Sequence, residues 1–480
     1  MENNKELKTS LRTIAVGFLV LVALLICYGA LRANWRKDKE DPTPKYIFLF
    51  IGDGMSFPQR MIADEFSRKS GHGQLVLNTF PCHATTRTCS ASSLVTDSAA
   101  AATAIACGVK TANGKLGVDP ENKPVESVAE VAAKHGKKVG IVTTVTINHA
   151  TPGGFYAHQS HRGKGYEIGL DLIKSNFDFF GGGGLGVKFA DNKKSPEYRG
   201  NIYDLAAKAG YKVISTKAEL EALRPGCGKV FARGSEEKLP YELDNDGSTA
   251  TLAEFTAKAI ELLEDSPKGF FMMVEGGSID WCGHANEAAC NLREVLGLDM
   301  AVRVAVKFAR KHPDETLIIV TGDHETGGMS MGFAGTGYAL YVERLANQKR
   351  STAAFASICR KKRAEMREAA KDPKLKLPFE EAQKLLAENY GFKFEGDVKQ
   401  DPMVLSAAEI KQLKDANAAT INKLSQAARK IMSGKAGVGW TSGSHTALPV
   451  LTTSYGKGAE NFTGFIDNTD ISKRLKELVK

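Results

Sequence analysis

The sequence predicts an α/β fold: a three-layer sandwich with a largely parallel central sheet flanked by helices, plus a mainly helical insertion and an N-terminal hydrophobic segment. Three observations predict it. Short apolar runs alternate with helical patterns along most of the chain, as in strand–helix–strand units. The runs are apolar at successive positions, which suits strands covered on both faces. Residues 341–435 break the rhythm: they are rich in Ala, Lys, Glu and Leu and hold few strand-like runs. The 480 residues, 42% hydrophobic and 25% charged, have the composition of an ordinary globular protein with a large core.

The N-terminus stands apart. A basic segment, residues 1–12 with Lys5, Lys8 and Arg12, precedes an uncharged stretch, residues 13–31. As a helix that stretch would span about 28 Å, close to the hydrocarbon core of a bilayer. Two readings lead, a cleaved signal or a retained transmembrane anchor, with a buried core helix as a weaker third. It is long for a signal, and Tyr28 and Leu31 stand where a cleavage site wants small residues, which favours the anchor. Either reading exports the rest of the chain. A leader of this kind suits a periplasmic protein, tethered to the inner membrane if the segment is kept. Residues 32–44 are polar and Pro-containing and read as a tether.

Past the tether, Tyr46–Ile51, Lys138–Thr144, Phe270–Val274 and Leu317–Thr321 read as buried strands. Ser98–Cys107 reads as an Ala-rich helix stopped by Gly108, and Val125–His135 as one stopped by Gly136. Thr251–Glu264 and Glu287–Lys311 are amphipathic, the second ending before Pro313. Gly181–Gly184 reads as a tight turn. The main domain is then 45–340 and 436–480, with Pro449–Ser454 as a further strand and the basic helical insertion 341–435 between the two parts.

The net charge of +9 invites a nucleic-acid reading, but its distribution argues against one. Residues 341–440 hold 20 Lys/Arg against 12 Asp/Glu, and residues 1–37 hold 6 against 2, so the remainder is slightly acidic. A solvated helical face accounts for the first segment and the export signal for the second. Cys27 lies in the apolar stretch, leaving seven cysteines of the eight, so at least one is unpaired within the chain. Cys82/Cys89 and Cys282/Cys290 are close enough in sequence to pair in an oxidising compartment. No CxxC pair exists, which disfavours a cysteine metal site.

Carboxylates and imidazoles recur where strands end. The first strand runs into Gly52-Asp53-Gly54, the third into Glu275-Gly276-Gly277, and the fourth into Gly322-Asp323-His324-Glu325. Open α/β sheets bind ligands beyond the C-terminal ends of their strands. One Asp there is usually a turn residue or a helix cap; three such ends are hard to explain that way. Asp280 and His284, four apart on a helical turn, share a face and can reach one ion. His445 by itself reads as a loop histidine. Ser98 sits where a loop becomes a helix, a place that favours a phosphoryl group but equally suits a plain cap.

Taken together, Asp53-Gly54-Met55, Thr96-Asp97-Ser98-Ala99-Ala100, His149-Ala150-Thr151-Pro152, Glu275-Gly276-Gly277-Ser278-Ile279-Asp280 and Thr321-Gly322-Asp323-His324-Glu325 resemble the motifs of the alkaline phosphatase family, in that family's order and with His445 late. The resemblance implies a phosphate monoester hydrolase with two zinc ions and one magnesium ion. It implies that Asp280, His284 and His445 hold the first zinc and that Asp53, Asp323 and His324 hold the second. Asp53, Thr151 and Glu275 would hold the magnesium. Ser98 would be the nucleophile, forming a phosphoserine, and Arg162 would clamp two phosphate oxygens, with Asp97 beside them. Small phosphate monoesters and inorganic phosphate would be the ligands, and the family resemblance suggests a homodimer. His149 and Trp281 match family members of the His/Trp type, which leaves the metal preference of the third site open. Thr326 stands where many members have His, and the 341–435 insertion resembles a crown-like surface element. Two alternatives remain: a phosphodiesterase-like sibling in the same superfamily, and an inactive, membrane-tethered binding protein on the same fold.

Overall fold

The computed structural model describes residues 43–333 and 335–480. The basic segment 1–12, the apolar segment 13–31 and nearly all of the 32–44 tether lie outside the described residues. Among the described residues, no helix is long and apolar enough to cross a membrane.

The central strand explains the architecture. β1 (Tyr46–Gly52) is buried along its whole length. Successive side chains of a strand point to opposite faces. Tyr46, Phe48 and Phe50 therefore enter one core cluster, and Ile47, Leu49 and Ile51 the other. The first cluster is closed by the helices Phe57–Lys69, Leu252–Leu263 and Ala288–Ala309, and the second by Ser98–Cys107, Val128–Lys134 and Gly165–Ser175. Helices on both faces of one sheet make the three layers that the sequence predicts.

Further strands follow in chain order: β2 (Cys82–Arg87), β3 (Lys138–Thr146), β4 (Phe179–Gly183), β5 (Tyr211–Ile214), β6 (Lys229–Arg233), β7 (Phe270–Gly276) and β8 (Thr316–Gly322). After them come β9 (Glu325–Thr326), β10 (Met329–Met331), β11 (Val438–Trp440), β12 (His445–Thr446), β13 (Val450–Gly456) and β14 (Gly464–Asp467). Ten of them form one sheet in the order β14-β2-β13-β8-β1-β7-β3-β4-β6-β5. Its pairings are parallel except those of β13, which runs against both β8 and β2. The register matters most: Gly52 pairs with Gly276 on one side and Gly322 on the other, so β7, β1 and β8 end level.

Helix limits follow capping chemistry more than periodicity. The helix expected over Val125–His135 starts only at Val128, because Ser127 and Glu130 form a capping box. Ser98–Cys107 is as expected, capped by Asp97 and ended by Gly108 in the left-handed region. Residues 341–435 fold into the helices Thr352–Ala370, Phe379–Tyr390, Ala407–Ala419 and most of Ile421–Ala436. Phe355, Leu386 and Leu424 from this segment join the first core cluster.

Two expectations are corrected. Gly181–Gly184 is not a turn: through Gly183 it belongs to β4, between β3 and β6. The glycines serve close approach instead. A Cβ on Gly182, at φ +128°, would stand 1.8 Å from the Thr143 carbonyl oxygen, and one on Gly181 would meet the Phe179 ring. Cys82 and Cys89 are free thiols, since the extended strand β2 separates them; Cys282 and Cys290 meet, as buried thiols.

Gly182→Ala should therefore cost at least about 3 kcal/mol, through both the positive φ and the lost space. Chemical denaturation of the variant measures this; a midpoint equal to the parent's would show that β3 and β4 can separate freely.

Candidate metal centre and active site

The level ends of β1, β7 and β8 bring Asp53, Glu275 and Asp323 to one place, each closed off from water. Gly54, at φ +72°, turns the chain sharply after Asp53; a Cβ there would lie 2.9 Å from Asp280 Cα. The Gly54 N–H donates to Asp323 Oδ1 at 3.0 Å, so the ends of β1 and β8 are stitched together. His324, fully buried, places Nε2 3.4 Å from Asp53 Oδ1 and 3.3 Å from Asp323 Oδ2.

His445 arrives from far along the chain. The short strand β12 pairs antiparallel with β9, setting His445 opposite Thr326. Its ring stacks on that of His324 with centroids 3.6 Å apart. Its Nε2 lies 3.1 Å from His284 Nε2 and 3.5 Å from Asp280 Oδ1. His284 Nε2 is 3.4 Å from Asp280 Oδ2, as the four-residue spacing on the helix Ser278–His284 predicts.

The outer nitrogens fix the tautomers. His284 Nδ1 donates to the Gly443 carbonyl at 2.7 Å, and His445 Nδ1 to the Thr96 carbonyl at 2.9 Å. Carbonyls only accept, so each Nδ1 carries a proton and each Nε2 is left to face the acids; Asp280 outweighs burial and raises the pKa of His445 above the ordinary value. Thr326 likewise fixes the Nδ1 proton of His324. Its hydroxyl donates to Asp280 Oδ1 at 2.5 Å and therefore accepts from His324 Nδ1 at 3.3 Å. Three imidazole Nε2 atoms thus converge on carboxylates, an arrangement that a cation between them would stabilise.

The carboxylates report the same need. Asp53 Oδ1, Glu275 Oε1 and Asp323 Oδ2 are buried without a hydrogen-bond partner. Burial, and then repulsion among the acids, raises the pKa of Asp53 well above the carboxylate range. Burial likewise brings Glu275 to about 8 and Asp323 to about 7. Among the described residues, three donor groups have ligand atoms within 4.8 Å of one another: Asp280, His324 and His445; Asp53, Asp323 and His324; Asp53, His149 and Glu275. These donor sets fit divalent cations. Thr151 joins the third group through its hydroxyl, 3.3 Å from Asp53 Oδ2.

Ser98 opens its helix beside this cluster, with Oγ 3.2 Å from His324 Nε2. Asp97 is a junction. Its Oδ1 accepts from Ala100 N at 3.0 Å as the helix cap, and its Oδ2 accepts from Gly114 N at 3.0 Å and from Arg162 Nη1 at 3.1 Å. Arg162 Nη2 donates to His149 Nε2 at 3.1 Å. The Trp281 ring stands edge-on to His149, centroids 6.2 Å apart.

All the site residues singled out in the sequence therefore converge. Several partners escaped sequence reading. Thr143 donates to Glu275 Oε2 from within β3, where the register sets it opposite Glu275. Glu325, read with the ligand motif, instead accepts from Gln59 at 2.8 Å, Gly328 N at 3.0 Å, Met329 N at 3.1 Å and the Thr446 hydroxyl. It braces β9 against β12 rather than facing the cluster.

Comparison with known proteins gives the family and the fold. A family model described as alkaline phosphatase matches residues 44–480. Alkaline phosphatase 4 of Bacillus subtilis is 33% identical over 392 residues, covering 80% of this chain and 77% of that protein. A cold-active alkaline phosphatase from the psychrophile Shewanella sp. has the same fold, with TM-score 0.78 and 29% identity, over 91% of this chain and all of that one. The alkaline phosphatase of the Antarctic bacterium TAB5 follows at TM-score 0.63 and 26% identity, over 91% and 98% of the two chains. A mutant of the TAB5 enzyme has been solved with Mg bound in its M3 site. With its motifs, fold and convergent donor groups in agreement, the chain belongs to the alkaline phosphatase family and is a phosphoric monoester hydrolase.

Proposed function

We propose that the chain hydrolyses phosphate monoesters through a covalent phosphoserine on Ser98, with two zinc ions and one magnesium ion in its donor groups. The observation that carries this reading is the place of Ser98, a helix-start hydroxyl 3.2 Å from His324 Nε2 and beside three buried carboxylates. Asp280, His284 and His445 would hold the first zinc, and Asp53, Asp323 and His324 the second; mixed imidazole and carboxylate donors suit that ion. Asp53, Thr151 and Glu275 offer oxygen alone and suit magnesium, with His149 close enough to alter the preference. The TAB5 variant with Mg in its M3 site supports a third site of this kind.

Cations bound there would supply Lewis acidity, lowering the pKa of the Ser98 hydroxyl and of a water molecule and neutralising the leaving oxygen. Ser98 releases its hydroxyl proton to solvent and Oγ attacks phosphorus while the ester P–O bond breaks on the far side; the leaving oxygen takes up a proton from solvent and departs as the alcohol. The phosphoryl group stays on Ser98 until water attacks it, releasing inorganic phosphate and restoring the hydroxyl. Asp97 holds Ser98 at the helix start, where free N–H groups favour a phosphoryl group. Arg162 exchanges its contacts with Asp97 and His149 for two phosphate oxygens, a bidentate task that suits its fork.

The basic, apolar leader supports export to the periplasm, with residues 13–31 touching the inner membrane if retained. Family membership supports a homodimer. The 341–435 insertion leaves after β10 and returns at β11, close in sequence to His445, which supports a crown-like role in shaping access to the site.

Ser98→Ala should lower turnover of 4-nitrophenyl phosphate at least about 1,000-fold with metal content unchanged. Acid quench of the parent with radiolabelled phosphate should label Ser98; label on another residue sinks the assignment. The parent should cleave the monoester faster than bis(4-nitrophenyl) phosphate, and the reverse order would favour the phosphodiesterase reading.

Metal removal gives a separate test. The buried acids have raised folded pKa values, so the metal-free fold binds more protons than the unfolded chain. Its relative stability is full below the unfolded pKa of about 4 and is lost as pH rises toward about 8. Calorimetry of chelated protein should show a melting temperature falling across that window and recovering when zinc and magnesium return. A chelated melting temperature that tracks the loaded protein's at every pH contradicts the assignment.

A further inference from the structure

We infer that His158 is a positioning residue for Arg162, acting as a doubly protonated bridge between the arm that carries the guanidinium and the helices behind it. This rests on the proposed reading of Arg162 as the phosphate clamp and adds a residue to it.

The arm, residues 157–163, runs beside residues 114–117 and is tied to them by the main chain. Arg162 N donates to Gly114 O at 2.7 Å, Leu116 N to Gln159 O at 3.0 Å, and Gln159 N to Leu116 O at 2.8 Å. The His158 side chain extends this ladder. Its Nδ1 lies 2.6 Å from the Gly117 carbonyl, and its Nε2 lies 3.0 Å from Glu130 Oε1. Both facing groups are acceptors, a carbonyl and a carboxylate. A neutral imidazole has one N–H and can satisfy only one of them; the imidazolium satisfies both.

The surroundings agree. Burial disfavours the charge on His158, but its hydrogen bonds to Glu130 and Gly117 outweigh it, and its pKa lies above the ordinary value of 6.5. Glu130 moves the opposite way, since His158 and Ser127 overcome its burial. Glu130 and Lys134 on one helix, and Asp171 and Lys174 on another, line the cavity beside the ring, together with Tyr156. Asp171 Oδ2 also accepts from His158 N at 3.2 Å and from Gln159 Nε2 at 2.8 Å, so the arm is held from both sides.

The bridge leads to the nucleophile. Gly117 N donates to Thr103 Oγ1 at 3.0 Å, and Thr103 lies in the helix that begins with Ser98. Gly117 sits at φ +61°, and a Cβ there would come within 2.0 Å of the Ala157 carbonyl oxygen. Glycine is therefore needed for the arm to come this close. Glu130 caps its own helix by accepting from Ser127 N at 2.7 Å, and Ser127 Oγ donates to Phe155 O at 2.7 Å. His158 thus references Arg162 to the same frame that sets Ser98, four residues from the guanidinium and without touching substrate.

The test is a double-mutant cycle on the full chain loaded with zinc and magnesium. His158→Gln, Arg162→Ala and the double variant are compared with the parent for KM with 4-nitrophenyl phosphate and for inhibition by inorganic phosphate. His158→Gln should raise KM and the inhibition constant about ten-fold, with kcat changed less than about three-fold. In the Arg162→Ala background the same substitution should add less than about two-fold, because the group it positions is gone. Equal increments in the two backgrounds overturn the inference, as does an unchanged KM in folded His158→Gln. Should His158→Gln fail to fold, Glu130→Gln keeps the side-chain volume while removing the charge. It should raise KM less, with the same dependence on Arg162, and an unchanged KM there overturns the inference. If Arg162→Ala itself leaves both constants at parental values, the clamp reading fails and this inference falls with it. If only Arg162→Ala raises them, the clamp stands and the role of His158 does not.

Discussion

Asp53, Glu275 and Asp323 are closed off from water within reach of one another, and their negative charge is the constraint around which the centre is built. Removing a carboxylate from water costs several kcal/mol unless a partner is supplied. Arg162, the guanidinium nearest to acting as one, is held by Asp97 and His149. The imidazoles turn an Nδ1 proton outward to the carbonyls of Gly443 and Thr96 and to the Thr326 hydroxyl, and the carboxylate whose charge they favour is Asp280. Cation binding therefore belongs to the energetics of the fold as much as to its chemistry, since the donors exist in this arrangement only when the chain is folded.

The same economy governs the arm opposite. One carboxylate, Asp97, caps the helix of Ser98, fixes the Gly114 turn and holds Arg162. A nucleophile and a guanidinium that share an anchor cannot drift independently. Under the proposed mechanism, an incoming phosphate competes with Asp97 for the guanidinium and leaves the helix cap in place. The adjacent loop is also tied to the donor cluster, because Thr96 O accepts from His445 Nδ1.

The insertion illustrates how little a long excursion disturbs such a site. The chain leaves after β10 and returns on β11, which pair with each other, and the next short pairing, β9 with β12, sets His445 against Thr326. Closing a longer loop adds entropy only logarithmically, so the helices of residues 341–435 can be accommodated provided the two ends remain clamped. Glu325 does the clamping, by accepting from Gln59, the Gly328–Met329 turn and Thr446 together.

Much of this was legible in the chain itself. Unbroken apolar runs at Tyr46–Ile51, 270–274 and 317–321, and acids placed just past them, reflect local chemistry. A strand buried on both faces must be apolar, and residues just past its C-terminal end are free to bind. Asp280 and His284 were readable as a pair because a helix turn sets their spacing. The glycines at 181–183 were misread because a glycine run has the same composition in a turn and in a strand crowded by its neighbours; only the approach of Thr143 distinguishes them. The edge strand β14 and its neighbour β2 escaped because partial exposure mixes their polarity. The sequence by itself determined which side chains stand at strand ends and helix starts. The tertiary structure alone decided that β7, β1 and β8 end level, that β12 carries His445 to His324, and which way each imidazole faces. Those outcomes depend on register and on hydrogen bonds between residues hundreds of positions apart, and no local pattern encodes them.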